Sequence, residues 1–336
     1  MIKVGVVGAS GYTGLELIKM LITHNEFEIS YLATTTGDMK LSELHPSLQN
    51  VFEYDIEKVS VDDIASKCEL VFLALPHKAS MELAKEILAK NVKVVDLSAD
   101  YRLAQDIYEA NYTEHLDIEN LDNSVYALIE YYRDKIKNTN LSAGPGCYPT
   151  ATLLGLLPFM DYIDENAPIF VDAKSGVSGA GKKLSNTTHF VTINDNMFAY
   201  NPLKHRHAPE IQEKVKLISG KDVSINFVPH LIPATRGELV SIYATLKDES
   251  IEPLEILKDR YKDDKFIRVR EGGVDIKNVA GTHFCDIYAQ KNKNAIFISS
   301  SIDNLLRGAS SQALVAANLM CGLDENEGIP TIGYRP

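Results

Sequence analysis

Apolar residues follow two different rhythms along the chain, and the change falls near residue 147. The chain opens on a mostly apolar run over 2–7 that passes straight into a glycine-rich turn. Over 15–22 the residues Leu15, Leu17, Ile18, Leu21 and Ile22 recur at helical spacing. Short apolar runs at 28–33, 70–75 (closed by Pro76) and 92–97 read as strands, with a helix over 80–90. Strands apolar on both faces and alternating with helices predict a parallel sheet covered on both sides. Residues 1–146 are therefore expected to form a Rossmann-type, doubly wound α/β domain.

Beyond that point the order changes. A helix over 148–160 is followed by strands at 169–173, 224–229, 239–246, 282–289 and 295–300, with long loops and a helix at 210–218 between them. This order suits a mixed or antiparallel sheet, hence an α+β second domain over 147–308. A helical stretch at 310–323, inside the segment 309–336, is expected to pack back on the first domain.

Composition narrows the class. The chain has 336 residues, 45% hydrophobic and 24% charged, enough to bury a core without disulfides or a structural metal. A net charge of −12 argues against nucleic acid, which needs clustered Lys and Arg. Cys68, Cys147, Cys285 and Cys321 lie far apart with no CxxC pair, so no metal site is expected. The apolar runs are too short for a signal peptide or a membrane span. A cytoplasmic, reduced enzyme acting on a small molecule is the expectation.

Gly8-Ala-Ser10-Gly11-Tyr12-Thr13-Gly14 joins the first strand to the first helix. Glycines there permit a tight turn and bring backbone N–H groups close to a pyrophosphate at the helix N-terminus. NAD enzymes usually place a carboxylate at the end of the second strand to bind the ribose 2′-OH. This chain has Thr34, Thr35 and Thr36 there, with Lys40 nearby, and so favours NADP(H).

Ser142-Ala-Gly-Pro-Gly-Cys147-Tyr-Pro149-Thr carries the chemistry. Glycines and a proline force a sharp turn, and Pro149 suits the first turn of a helix. Cys147 would then sit at a helix start, where unpaired N–H groups favour a thiolate and can hold an oxyanion. A proton partner is offered by Lys204-His205-Arg206-His207-Ala-Pro209-Glu210. If that loop is extended, His205 and His207 point the same way; His207 is the first choice for the acid/base, with His205 second and His230 a further candidate. Arg206, Arg236, Lys182 and Lys183 are candidate ligands for a phosphate or carboxylate. The small residues of Ser175-Gly-Val-Ser178-Gly179-Ala-Gly181 suggest a flat group lying on backbone, a nicotinamide ring or the acyl group.

Taken together, these stretches and Asp96-Leu-Ser-Ala-Asp-Tyr-Arg102, His205-Arg-His-Ala-Pro-Glu-Ile211, Pro229-His-Leu231 and Asp303-Asn304-Leu305 resemble the N-acetyl-γ-glutamyl-phosphate reductase family of the semialdehyde dehydrogenase group. The resemblance implies reduction of an acyl phosphate to an aldehyde with NADPH, through a thioester on Cys147. It also implies an acid/base at His207 or His205, Asn304 near the nicotinamide, Arg102 among the substrate-binding residues, and a homodimer or homotetramer. The chain departs from the family pattern at Ala127-Leu-Ile-Glu130, at Ala234, at Arg307-Gly-Ala-Ser-Ser-Gln312, and at Glu238, where an aliphatic is usual. Alternatives are aspartate-semialdehyde dehydrogenase, a carrier-linked aminoadipyl-phosphate reductase and, outside enzymes, an NADP-sensing regulatory protein.

Overall fold

A computed structural model describes residues 1–334. The chain divides into two compact units: Met1–Pro145 with Ala309–Pro330, and Gly146–Gly308 with the described residues from 331 onward.

Among the described residues, the first unit holds strands β1 (Ile2–Val7), β2 (Phe27–Thr34), β3 (Met39–Lys40), β4 (Asp55–Lys58), β5 (Leu70–Leu73), β6 (Lys93–Asp96), β7 (Val125–Tyr126) and β8 (Leu141–Ala143). Their order in the sheet is β3-β4-β2-β1-β5-β6-β8-β7. Every pair is parallel except β3–β4. The strand order runs outward in both directions from β1, so the crevice beyond the C-terminal end of β1 is a topological switch point. On one face Val7, Val71, Leu73 and Val94 pack with Ile64, Met81 and Ile87 of the covering helices. Neighbouring positions such as Val6, Leu32, Phe72 and Val95 are equally buried, as alternation in a strand covered on both faces requires.

The Ser311–Met320 helix belongs to this unit, and all ten of its residues are buried. Ser310 Oγ donates to Thr13 O at 2.9 Å, and Gln312 Nε2 donates to Ala127 O at 2.5 Å. The helix is shorter than the expected stretch at 310–323. The tail from 331 groups with the second unit, and residues 335 and 336 lie outside the described residues.

The second unit holds, among the described residues, β9 (Ile169–Gly176), β10 (Phe198–Ala199), β11 (Ile225–Ile232), β12 (Glu238–Thr245), β13 (Ile267–Val269), β14 (Cys285–Asn292) and β15 (Ala295–Ile302), in the order β10-β11-β9-β12-β15-β14-β13. The sheet is mixed: β11–β9 and β13–β14 are parallel, and the other pairs are antiparallel. The Cys147–Leu156 helix packs on β12 and β15, and the His207–Ser219 helix packs on β11 and on that first helix. The opposite face keeps Phe170 and Tyr243 exposed. A two-layer α+β unit with one uncovered sheet face results.

Gly14 shows how tightly the first turn is built. A Cβ there would lie 2.3 Å from Gly8 O and 3.0 Å from Ala9 Cα, both rigid backbone. Gly14→Ala is therefore expected to cost about 1–3 kcal/mol, measured as a lowered urea midpoint; an unchanged midpoint would show that the turn can relax.

Candidate active site

The Cys147–Leu156 helix is apolar all round, and every residue after Cys147 is buried, so it can only be a core helix. Tyr261 Oη donates to Leu154 O at 2.5 Å and Ser300 Oγ donates to Ala151 O at 2.6 Å, tying it to its surroundings. Only its first residue, Cys147, is partly open. Gly146 is the N-cap, with φ −66° and ψ 155° and no side-chain cap. The N–H groups of Cys147 and Tyr148 therefore have no intrahelical acceptor.

The backbone around the sulfur is fixed from three sides. Gly146 N donates to Glu210 Oε1 at 2.9 Å. A Cβ at Gly146 would lie 2.6 Å from His207 Nε2, so glycine is what lets this imidazole reach the helix start. A Cβ at Gly308 would lie 2.6 Å from Cys147 Cβ, so a second glycine lets the chain pass the nucleophile.

The histidine segment is not extended. Arg206 has helical dihedrals and the helix already begins at His207, two residues before Pro209. The two imidazoles still meet, with ring centroids 4.8 Å apart, and each sits edge-on to Tyr148 at 5.8 Å. His207 N donates to His205 Nδ1 at 3.1 Å. His205 also lies against Tyr200 and Phe227. Burial, with the Arg206 charge adding to it, brings the His205 imidazole down to about 4, so it is neutral at pH 7. His230 points elsewhere: its Nδ1 lies 3.2 Å from Ala173 O and 3.1 Å from Asp172 Oδ1.

Glu238, the first residue of β12, is fully buried. Neither carboxylate oxygen takes an N–H or O–H donor among the described residues. Burial pushes the carboxyl up to about 8, and the Cys147 thiol offsets only part of that rise. Tyr148 Oη donates to His230 O at 3.3 Å, and Tyr200 Oη donates to Tyr148 Oη at 3.2 Å. Burial and then the Glu238 charge hold the Tyr148 phenol far above its ordinary range.

The candidate anion ligands divide. Arg206, Lys182 and Lys183 are exposed. Arg236 is engaged by the buried Asp303, with Nε 2.9 Å from Oδ2 and Nη2 3.1 Å from Oδ1. Arg102, in the first unit, is buried and donates to Gly144 O at 2.6 Å and Leu97 O at 2.9 Å. Asn304 is likewise committed: Oδ1 accepts from Gly237 N at 2.8 Å and Nδ2 donates to Ser178 Oγ at 3.0 Å. The glycines of that turn have a protein-internal reason. A Cβ at Gly176 would lie 2.8 Å from Arg236 N, and one at Gly179 would lie 2.8 Å from Ser175 Oγ.

In the first unit the residues fit a dinucleotide. Gly8 has φ +93°, and a Cβ there would lie 2.3 Å from Ala74 O; that glycine makes the turn. Gly11 differs: nothing lies within 3.6 Å of its Cβ position, and it caps the Tyr12–Ile22 helix without a side chain. It keeps open the approach to the N–H groups of Tyr12, Thr13 and Gly14, beside Ser10, where a pyrophosphate would sit. At the end of β2, Thr34 is buried and its Oγ1 accepts from Gly37 N at 2.9 Å, while Thr35 and Thr36 are exposed. Lys40 is paired with Asp55.

A dinucleotide fold and a helix-start cysteine with an adjacent imidazole define the semialdehyde dehydrogenase class. Residues 3–139 match the family model described as semialdehyde dehydrogenase, NAD binding domain, and residues 147–304 match the semialdehyde dehydrogenase, dimerisation domain. Within that class the chain belongs to the N-acetyl-gamma-glutamyl-phosphate reductase family. It is 71% identical to the relative of that name from Sulfurovum sp. (strain NBC37-1), over all of both chains. The relative of the same name from Wolinella succinogenes is 57% identical over 100% of this chain and 99% of its own. Among solved structures, aspartate semialdehyde dehydrogenase II from Vibrio cholerae shares the fold at a TM-score of 0.74 and 16% identity, covering 96% of this chain and 98% of that one. Among the described residues no helix is long and apolar enough to cross a membrane.

Two outcomes follow from this geometry. Gly11→Ala should leave stability within about 0.5 kcal/mol while weakening dinucleotide binding about tenfold or more, read by nucleotide fluorescence titration; unchanged affinity would place the pyrophosphate elsewhere. Glu238 gives a pH signature. Its folded pKa of about 8 exceeds the ordinary ~4.3, so between those values the folded chain keeps a proton that the unfolded chain releases. Stability then falls as pH rises through that window. Glu238→Gln should gain on the wild type from about pH 5 to pH 8 in urea denaturation; parallel profiles would show that the carboxyl is not so perturbed.

Proposed function

We propose that the chain reduces N-acetyl-γ-glutamyl phosphate to N-acetylglutamate semialdehyde and phosphate, with NADPH as reductant, as a cytoplasmic homo-oligomer. The observation that carries this reading is Cys147 at an uncapped helix start, with Gly146 N fixed by Glu210 and the His207 imidazole against Gly146. The name shared by full-length relatives at 71% and 57% identity supports the substrate.

The Cys147 sulfur attacks the acyl carbon, the C–O bond to phosphate breaks, and the N–H groups at the helix start stabilise the oxyanion. Covalent capture splits one difficult step into two easier ones. His207 moves the proton on the substrate oxygens: as imidazolium it protonates the departing phosphate, and it is recharged by the proton that the thiohemiacetal oxygen takes from solvent and gives up as the aldehyde forms. His205, neutral and edge-on to the same tyrosine, positions His207 through the hydrogen bond to its N–H. NADPH supplies the hydride when bound; Gly8, Ser10, Gly11, Tyr12, Thr13 and Gly14 would hold its pyrophosphate. Thr35 and Thr36 would meet its 2′-phosphate from beside Thr34, with Ser178, Gly179 and Asn304 assigned to its nicotinamide end. The exposed Arg206 and Lys182 are the cations assigned to the substrate's anionic groups; Arg236 is held by Asp303, and Arg102 by two carbonyls of its own unit.

The matched dimerisation domain supports a homodimer or homotetramer. On the uncovered sheet face, Tyr243 pairs in register with Phe170 and Phe297, and its ring lies 5.5 Å from that of Phe297. An aromatic stripe of this kind fits contact with a second copy.

Cys147→Ala should lose turnover by at least about 10⁴-fold and keep NADPH affinity in a binding titration; substantial remaining turnover would refute the thioester. Assayed side by side, N-acetyl-γ-glutamyl phosphate should exceed aspartyl phosphate, and NADPH should exceed NADH, each by about tenfold or more. Equal rates would overturn the substrate or cofactor assignment. The double substitution Phe170→Glu with Tyr243→Glu should lower the mass seen by sedimentation, whereas an unchanged oligomer would place the interface elsewhere.

A further inference from the structure

In the first unit, the threonines assigned to the 2′-phosphate lie on a segment whose two ends meet on one residue of the glycine turn. At its start, Ala33 O accepts from Gly8 N at 2.9 Å and from Ala9 N at 3.2 Å. The chain then runs through Thr34, Thr35 and Thr36, β3 and the short helix Leu41–Leu44 to His45. At its end, His45 Nε2 lies 2.7 Å from Ala9 O. A carbonyl can only accept, so Nε2 carries the proton and donates. Ala9, itself fully buried, is gripped at its N–H by one end of the segment and at its oxygen by the other. The His45 backbone is fixed as well. Its N–H donates to Leu41 O at 2.7 Å, its carbonyl accepts from Leu48 N at 2.9 Å, and Pro46 after it disfavours the helical region. The residue is only 7% exposed. An apolar side chain would meet the packing alone; the imidazole adds a donor of fixed length between two stretches that face phosphates.

We propose that His45 is a positioning residue for NADPH. By holding Ala9 O, it fixes the distance between the glycine turn, which takes the pyrophosphate, and the Thr35–Thr36 stretch, which takes the 2′-phosphate. The proposal rests on the assignment of those two stretches made above. β4 steadies the middle of the segment through the Met39–Ile56 and Lys40–Asp55 pairs, and His45 ties its far end to the turn. A nucleotide that engages both stretches gains from having them set beforehand, because less of its binding free energy goes into ordering the protein. NADH has no 2′-phosphate and gains from the turn alone. Loss of the clamp therefore acts chiefly on NADPH, and His45 contributes to the choice between the two reductants although other residues meet the group that distinguishes them.

The test is calorimetric titration of NADPH and of NADH into the full-length chain without substrate, for wild type, His45→Leu and His45→Gln. His45→Leu removes the donor and leaves Ala9 O without it. The Kd for NADPH should rise about tenfold, and that for NADH by no more than about threefold. His45→Gln brings an amide N–H to about the reach of Nε2 and should restore most of the preference. Should His45→Leu not fold, His45→Asn takes its place, since its amide stops short of the carbonyl. Equal losses for the two nucleotides, which a merely structural role predicts, overturn the proposal. So does an unchanged NADPH affinity, or a His45→Gln that behaves like His45→Leu. The parent assignment fails separately. If Gly11→Ala leaves NADPH affinity unchanged, the turn is not the pyrophosphate site and the clamp falls with it. If Gly11→Ala weakens NADPH while His45→Leu leaves the ratio of the two affinities as it was, the turn stands and the clamp alone is refuted.

Discussion

Position 146 has no side chain, and the geometry around the nucleophile depends on that vacancy. The space a Cβ would occupy is taken by His207 Nε2, while the Gly146 N–H is held by Glu210. Both partners come from the first turn of one helix, so a single rigid element sets the imidazole and the backbone ahead of the sulfur together. Glu210 serves twice, since a carboxylate in the first turn also stabilises its own helix. The Cys147–Leu156 helix cannot shift to escape the arrangement, because nine of its ten residues are buried. Its placement comes from close packing, which gives precision that a surface loop does not provide.

The electrostatics are unusual for a site that handles phosphate. The helix start that carries Cys147 is lined by a phenol and imidazoles: Tyr148 with His205 and His207 edge-on to it, and Tyr200 on its hydroxyl. The charged side chains are either exposed, as Arg206 and Lys182 are, or neutralised, as Arg236 is by Asp303. Low polarity around the sulfur strengthens each remaining interaction, including those of backbone N–H groups with developing charge.

Much of this was legible in the sequence. Apolar strands such as β1, β2 and β5 announced the parallel sheet, and the run of glycines and prolines around Cys147 announced an exposed helix start. β4 was not legible, because Asp-Ile-Glu-Lys carries no apolar rhythm and is recruited by its neighbour β2. The two-residue strands β3, β7 and β10 are too short to leave a pattern. Arg236 read as an available cation because its partner, Asp303, is brought to it only by folding. Glu238 stood out only as a departure from the pattern the resemblance implied, since its complete burial is a tertiary fact. The orientation of the histidine pair depended on whether Arg206 was extended, and its helical backbone answers that.

The Ser311–Met320 helix has a consequence for how the molecule is made. All of its residues are buried against a unit whose other elements end at residue 145. During synthesis the ribosome must deliver the whole of 146–308 before that helix can dock. Until then the nascent first unit exposes an apolar face meant for its last segment, and a fragment ending at 145 would carry that sticky face permanently. Completion of the nucleotide fold is thereby delayed until the part of the chain bearing the reactive thiol has been translated.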